Sequence, residues 1–103
     1  MTVLKVLYKS KVRFDMNYYV SKHVPLVIAV MGPYGLKKTE IAKLTSTVDG
    51  SEPTYQVIFS AHFENEAGLK SGLQSPQIGE VMKDIPNYYG GGTPVLLIGE
   101  IVE

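Results

Sequence analysis

Two segments far apart in the chain, residues 3–8 and 95–102, carry apolar side chains at odd and even positions alike. A strand sends successive side chains to opposite faces of its sheet, so neither segment suits a sheet with one face in water. Residues 54–63 alternate instead. Tyr55, Val57, Phe59, Ala61 and Phe63 face one way, and Gln56, Ile58, Ser60 and His62 the other. A threonine- and valine-containing stretch at 38–48 reads as a further strand, ending at the turn signal Asp49-Gly50.

Two helical regions separate these strands. Asp15 can accept a hydrogen bond from the next turn as an N-cap, with Phe14 and Tyr19 placed as a hydrophobic staple around it. From there Tyr19, His23, Val27 and then Val30 and Met31 recur at helical spacing on one face. Pro25 has no N–H for the carbonyl of Ser21, so the helix is expected to kink or restart near His23. Gly32-Pro33 is expected to end it, with Gly32 in a left-handed cap. The second region starts at Asn65 and carries Leu69 and Leu73. Ser75-Pro76 reads as the cap and first position of another short helix, which presents Ile78, Val81, Met82 and Ile85 and stops before Pro86.

The order strand, helix, strand, strand, helix, strand predicts the α+β class, a ferredoxin-like βαββαβ sandwich with helices on one face of an antiparallel sheet. The uncovered face would then expose a contiguous apolar patch. A second copy packed sheet to sheet through an isologous interface would cover it, so a homodimer is expected.

A chain of 103 residues is expected to form one domain spanning 1–103. Ten basic side chains balance ten acidic ones, and no basic run exceeds Lys37-Lys38, which argues against nucleic acid and anionic membranes as partners. The absence of cysteine excludes disulfides, thiolate metal sites and cysteine nucleophiles. No metal motif or cofactor signature is found, and none is expected to be needed. The start Met1-Thr2-Val3-Leu4-Lys5 lacks the pattern of a signal peptide and no apolar run could span a bilayer, so a cytoplasmic protein is expected.

The first helical stripe gathers the candidate chemistry. His23 stands beside the expected break, one turn after Tyr19. An imidazole titrates near neutral pH and suits a general acid or base. The alternative is a helix-end histidine that bonds a carbonyl freed by Pro25. Tyr19 reads as core or as the wall of a ligand site, and its hydroxyl needs a partner in either case. Asp84 falls at the end of the last helix, where the dipole disfavours a carboxylate. Solvent, or a partner such as His23, must compensate it, and a carboxylate that orients an imidazole is a recurrent catalytic device. Tyr18, Val27, Phe59 and Met82 are candidates to line a hydrophobic ligand pocket, together with Tyr88 and Tyr89 before the flexible run Gly90-Gly91-Gly92. Those glycines lead into a strand and open no helix, which argues against a phosphate loop. His62 lies on the face opposite the large apolar side chains, where a structural hydrogen bond is expected.

Phe14-Asp15, Tyr18-Tyr19, His23, Pro25-Leu26, Gly32-Pro33, Ser75-Pro76 and Asp84-Ile85-Pro86-Asn87-Tyr88 follow one another over most of the chain. In this order and spacing they resemble the EthD family of the dimeric α+β barrel superfamily. The resemblance implies a dimer whose two sheets close into a barrel, with a small-molecule cavity between sheet and helices in each subunit. Relatives in the wider superfamily include cofactor-independent quinone-forming monooxygenases, lactone isomerases and haem enzymes. Other EthD-like proteins are attributed to aromatic polyketide pathways as dehydratases or decarboxylases. The chain departs from the haem-degrading relatives, having no histidine in its second helical region, and from several monooxygenases in having no tryptophan. A shared fold does not carry a reaction with it. The expected function is that of a small enzyme acting on a hydrophobic, aromatic or polyketide-like molecule, with Tyr19, His23 and Asp84 moving protons. Oxidoreductase is the first reaction class, and dehydration or isomerisation follow. The alternative is a non-catalytic binding protein or an accessory to an oxygenase system.

Overall fold

The computed structural model describes residues 1–102. Its elements run β1 (Thr2–Lys9), α1 (Met16–Tyr18), a π-helical turn (Tyr19–His23), α2 (Val24–Met31), a 3-10 turn (Gly32–Tyr34), β2 (Leu36–Lys43) and β3 (Tyr55–Phe63). They continue through α3 (Glu66–Leu73), α4 (Ile78–Asp84) and a second 3-10 turn (Ile85–Asn87) to β4 (Val95–Glu100). The strands form one sheet in the order β2-β3-β1-β4, with every neighbouring pair antiparallel. This is the ferredoxin-like α+β topology expected from the order of elements.

The register follows from the alternation in β3. Leu4 pairs with Ala61, Val6 with Phe59 and Tyr8 with Val57, and all six side chains are buried beneath the helices. The opposite face pairs Val3 with His62, Lys5 with Ser60 and Leu7 with Ile58. That face is mixed where a continuous apolar patch was expected. Lys5 Nζ donates to Ser60 Oγ at 2.7 Å, and His62 Nε2 lies 3.1 Å from Glu40 Oε1 on β2. The polar rows sit between Val3, Leu7 and Ile58 and the neighbouring Val95 and Leu97 of β4.

The edge strand β4 stands clear of the helix layer. Leu96 and Ile98 point to the helix side yet keep 44% of their surface, while Val95 and Leu97 on the other side keep 39% and 52%. A strand apolar on both faces is thus open on both faces in the single chain.

The first helical region begins as its sequence demands. The Asp15 carboxylate accepts from Tyr18 N at 3.0 Å, and the Phe14 ring meets that of Tyr19 edge-on at 5.0 Å. The break expected near His23 takes the form of a widened helical turn, after which α2 starts at Val24. Val24 N–H reaches back to Tyr19 O, so one extra residue is taken up in a π turn. Pro25, which has no N–H to bond Ser21, follows directly in the first turn of α2.

Four boundaries differ from expectation, one being the last strand, which ends at Glu100 and not at 102. Gly32 is right-handed, with φ −51°, and a 3-10 turn carries the chain on to Gly35, whose φ of 90° makes it the left-handed cap. Only a residue without Cβ takes that conformation cheaply. Strand β2 ends at Lys43, before residue 48, because the turn beyond it is knit by its own side chains. Ser51 N–H donates to Thr47 Oγ1 and to Asp49 Oδ1, both at 3.1 Å, and Gly50 sits at φ 90°. Ser75 makes no side-chain cap. Its Oγ is buried without a partner, Ile78 N–H bonds its backbone carbonyl, and α4 starts only at Ile78. No helix among the described residues is long and apolar enough to cross a membrane.

Candidate active site

The π turn sets two rings on the inner face of the first helical region. Tyr19 and His23 are both buried and stack nearly parallel, 5.5 Å apart and 16° from coplanar. Across from them, the end of α4 and the 3-10 turn after it deliver Asp84, Asn87 and Tyr88. Arg13 holds this turn in place by donating to Pro86 O at 2.6 Å and to Asn87 O at 3.3 Å. Asp15 N–H donates to Tyr88 O at 2.8 Å, so the start of the first helix and the end of the last are tied together.

His23 is bonded at both ring nitrogens. Nδ1 lies 2.9 Å from Asp84 Oδ2, and Nε2 lies 3.1 Å from the Tyr88 hydroxyl. A carboxylate can only accept, so Nδ1 carries the proton and Nε2 offers its lone pair to Tyr88. Tyr88 therefore donates to His23 and accepts from the Tyr8 hydroxyl, 2.8 Å away. The result is a directed chain of hydrogen bonds from Tyr8 through Tyr88 and His23 to Asp84. The Asp84 carboxylate also accepts from the Tyr18 hydroxyl at 2.5 Å and from Asn87 Nδ2 at 2.9 Å. These bonds compensate its unfavourable place at a helix end.

The protonation states follow from burial and these partners. Burial pushes the His23 imidazole below its ordinary value, against the bond and charge of Asp84, which pull it up. For Asp84, burial pushes up, but bonds from Tyr18, Asn87 and His23 outweigh it and hold the carboxyl below its ordinary range. Burial raises Tyr8, Tyr19 and Tyr88, so all three remain phenols. Tyr18 is also raised, first by its bond to the Asp84 carboxylate. At neutral pH the site holds a neutral imidazole, an ionised carboxylate and phenol donors.

A cavity of about 60 Å³ opens against the polar end of this chain. Tyr8, Tyr19 and His23 edge it, and Leu4, Val27, Phe59 and Ile78 are among its apolar walls. Met82 and Leu96 are its most exposed lining residues and mark its mouth. Of the residues singled out from sequence, Tyr19, His23, Val27, Phe59 and Met82 meet here. Asp84, Tyr18 and Tyr88 stand behind His23 and act on it, directly or through Asp84. Tyr89 lies apart. Its hydroxyl accepts from Lys9 N at 3.0 Å, and Gly90 N–H donates to Arg13 O at 2.9 Å, which pins the start of the glycine run.

Tyr8 is the site residue that sequence reasoning missed. The signal was present, since Tyr8 shares the parity of Leu4 and Val6, and a phenol in a buried row needs a partner. Among the described residues no group of three side chains suits a metal ion.

No protein-family model matches the chain. It is similar to an uncharacterised 11.0 kDa protein in the thcB-thcC intergenic region of Rhodococcus erythropolis, being 31% identical over 87 residues that cover 84% of this chain and 80% of that protein. Among solved structures it resembles an EthD-like protein from Ralstonia eutropha, with a TM-score of 0.86 and 26% identity, over 99% of this chain and 92% of the other. An EthD family protein from Bacillus halodurans shares the fold at a TM-score of 0.78 and 20% identity, over 99% of both chains.

Proposed function

The chain belongs to the EthD family, within the dimeric α+β barrels, and from that premise we propose that it is a small enzyme that moves a proton on a hydrophobic molecule. The observation that carries the reading is the hydrogen-bond chain Tyr8–Tyr88–His23–Asp84, which ends at an apolar cavity. His23 is the base of the set, since its Nε2 lone pair faces the donors while Asp84 holds the other nitrogen. An acidic proton of the substrate passes to the Tyr8 oxygen as Tyr8 gives its own proton to Tyr88. Tyr88 gives its proton to His23 Nε2, and the imidazolium is stabilised by Asp84. The substrate loses one proton and His23 gains one. Each phenol ends neutral, which suits groups whose ionisation burial disfavours.

Loss of an acidic proton opens the oxygenation of an electron-rich phenol, a dehydration or an isomerisation alike. Apolar walls with few polar groups suit an aromatic or polyketide-like substrate. Oxidative chemistry is the first class we assign, and the working form is a homodimer joined through the open sheet face.

An NMR titration of His23, assigned with a His23→Gln control, tests the proton-transfer site. Asp84→Asn removes the charge that favours imidazolium, so the His23 pKa should fall. Tyr88→Phe removes a donor to the neutral ring, so the pKa should rise. An imidazole indifferent to both changes would overturn proton transfer and leave a non-catalytic binding or accessory protein.

A further inference from the structure

The cavity at His23 does not stand alone. Met82 and Ile85 belong to its wall and also to the wall of an open groove of about 610 Å³ on their other side. Arg13, Thr93 and the side-chain-free Gly90 and Gly92 form much of that groove. The two spaces are separated by a methionine that keeps 40% of its surface, an unbranched side chain with three rotatable bonds.

Size argues that the wall opens. At about 60 Å³ the space behind the cavity mouth is well under the roughly 150 Å³ of an apolar protein cavity that takes a benzene ring. A substrate with even one ring must therefore displace part of the lining, and Met82 is the part with somewhere to go. Its displacement joins the cavity to the groove.

Charge argues for what lies in the groove. Arg13 makes no ion pair among the described residues. Its Nη atoms donate to the carbonyls of Pro86 and Asn87, which carry no net charge, so the guanidinium is held in place with its charge unmatched. Such a group has N–H donors to spare and is preorganised for a carboxylate.

We propose that the groove is the second half of the substrate site and that the substrate is an elongated hydrophobic acid. Its apolar head enters the cavity beside His23, its chain passes Met82, and its carboxylate meets Arg13. The assignment rests on the reading of the cavity as a small-molecule site. It makes Arg13 a specificity residue remote from the chemistry and Met82 the divider that the bound molecule moves.

The test uses the full chain with labelled methyl groups and two probes, 6-phenylhexanoate and 6-phenylhexan-1-ol. Both should shift the methyl signals of Val27 and Ile78, and at low salt the acid should bind about fivefold more tightly. That advantage should shrink in high salt. In Arg13→Gln the acid and the alcohol should bind equally, whatever the loss of the Pro86 and Asn87 contacts does to both, and the methyl spectrum reports that the variant is folded. Equal affinity of acid and alcohol in the wild type overturns the carboxylate assignment and leaves the cavity reading standing. Failure of both probes to reach Val27 and Ile78 overturns the two together.

Discussion

At the residue scale the site depends on His23 being held neutral between a carboxylate and a phenol. This gives stability a defined pH dependence. The folded protein binds a proton at His23 less readily than the unfolded chain, whose value is 6.5. Unfolding therefore takes up a proton between the folded value and 6.5, so stability is full above about pH 6.5 and falls as pH drops toward the folded value. Asp84, held below its ordinary 3.8, adds a second loss as pH falls through its own folded value. Urea midpoints measured from pH 8 to pH 3 should trace both declines, and His23→Gln should flatten the first. A midpoint flat between pH 7 and pH 5 in the wild type would contradict the depressed imidazole. Tyr8→Phe keeps the packed ring and removes one hydrogen bond, so a loss of about 1 kcal/mol in denaturant titration is expected. Tyr8 shows why this site was only half legible. Tyr19 and His23 declare themselves by helical spacing within one segment. The partner of the Tyr8 hydroxyl lies 80 residues away, and only the pairing of β1 with β3 and the fold of the last 3-10 turn bring the two together.

At the element scale the sequence announced where the first helical region is disturbed and left open how. Proline removes one hydrogen bond, and a kink, a restart or a widened turn can each satisfy that loss. The π turn does so while keeping Tyr19 and His23 stacked. Two glycines of α3 offer a sharper contrast. Alanine in a helix is favoured over glycine by about 1 kcal/mol. At Gly68, however, a Cβ would stand 2.3 Å from the Tyr34 backbone carbonyl oxygen, which has little room to yield. At Gly72 it would meet the end of the flexible Met31 side chain at 2.7 Å. Gly68→Ala should therefore destabilise by about 1–3 kcal/mol, while Gly72→Ala should be close to neutral. Thermal melts of the two variants decide it, and the reverse ranking would show that the close approach of α3 to the 3-10 turn is misplaced.

At the scale of the whole molecule the chain is a slab, with extents of 39 × 35 × 20 Å and a radius of gyration of 13.8 Å. A compact domain of this length has a radius of about 13 Å, so the excess is that of a two-layer body with one side open. The side away from the helices carries the exposed Val95 and Leu97, the half-buried Leu7 and Ile58 and the buried Val3 around the Lys5–Ser60 and His62–Glu40 pairs. Apolar area interrupted by a lysine and a glutamate, each bonded to a polar side chain, is suited to meeting its own image across a two-fold axis. Strand β4 carries the argument furthest, because residues apolar on both faces gain nothing from a fold that buries neither. That composition was readable from the first residues inspected, whereas the polar pairs that interrupt the face appear only once the register is known. Leu97→Asp tests the interface with little effect on the fold. The new carboxylate sits directly opposite Lys5 in the same sheet and can pair with it, so the single chain tolerates the change. In a face-to-face dimer the same carboxylate is carried into an apolar seam, where burying a charge is costly. Sedimentation equilibrium should show a dimer for the wild type and a monomer of unchanged secondary structure for Leu97→Asp. A wild type that sediments as a monomer at every concentration would show that the open face serves some other partner.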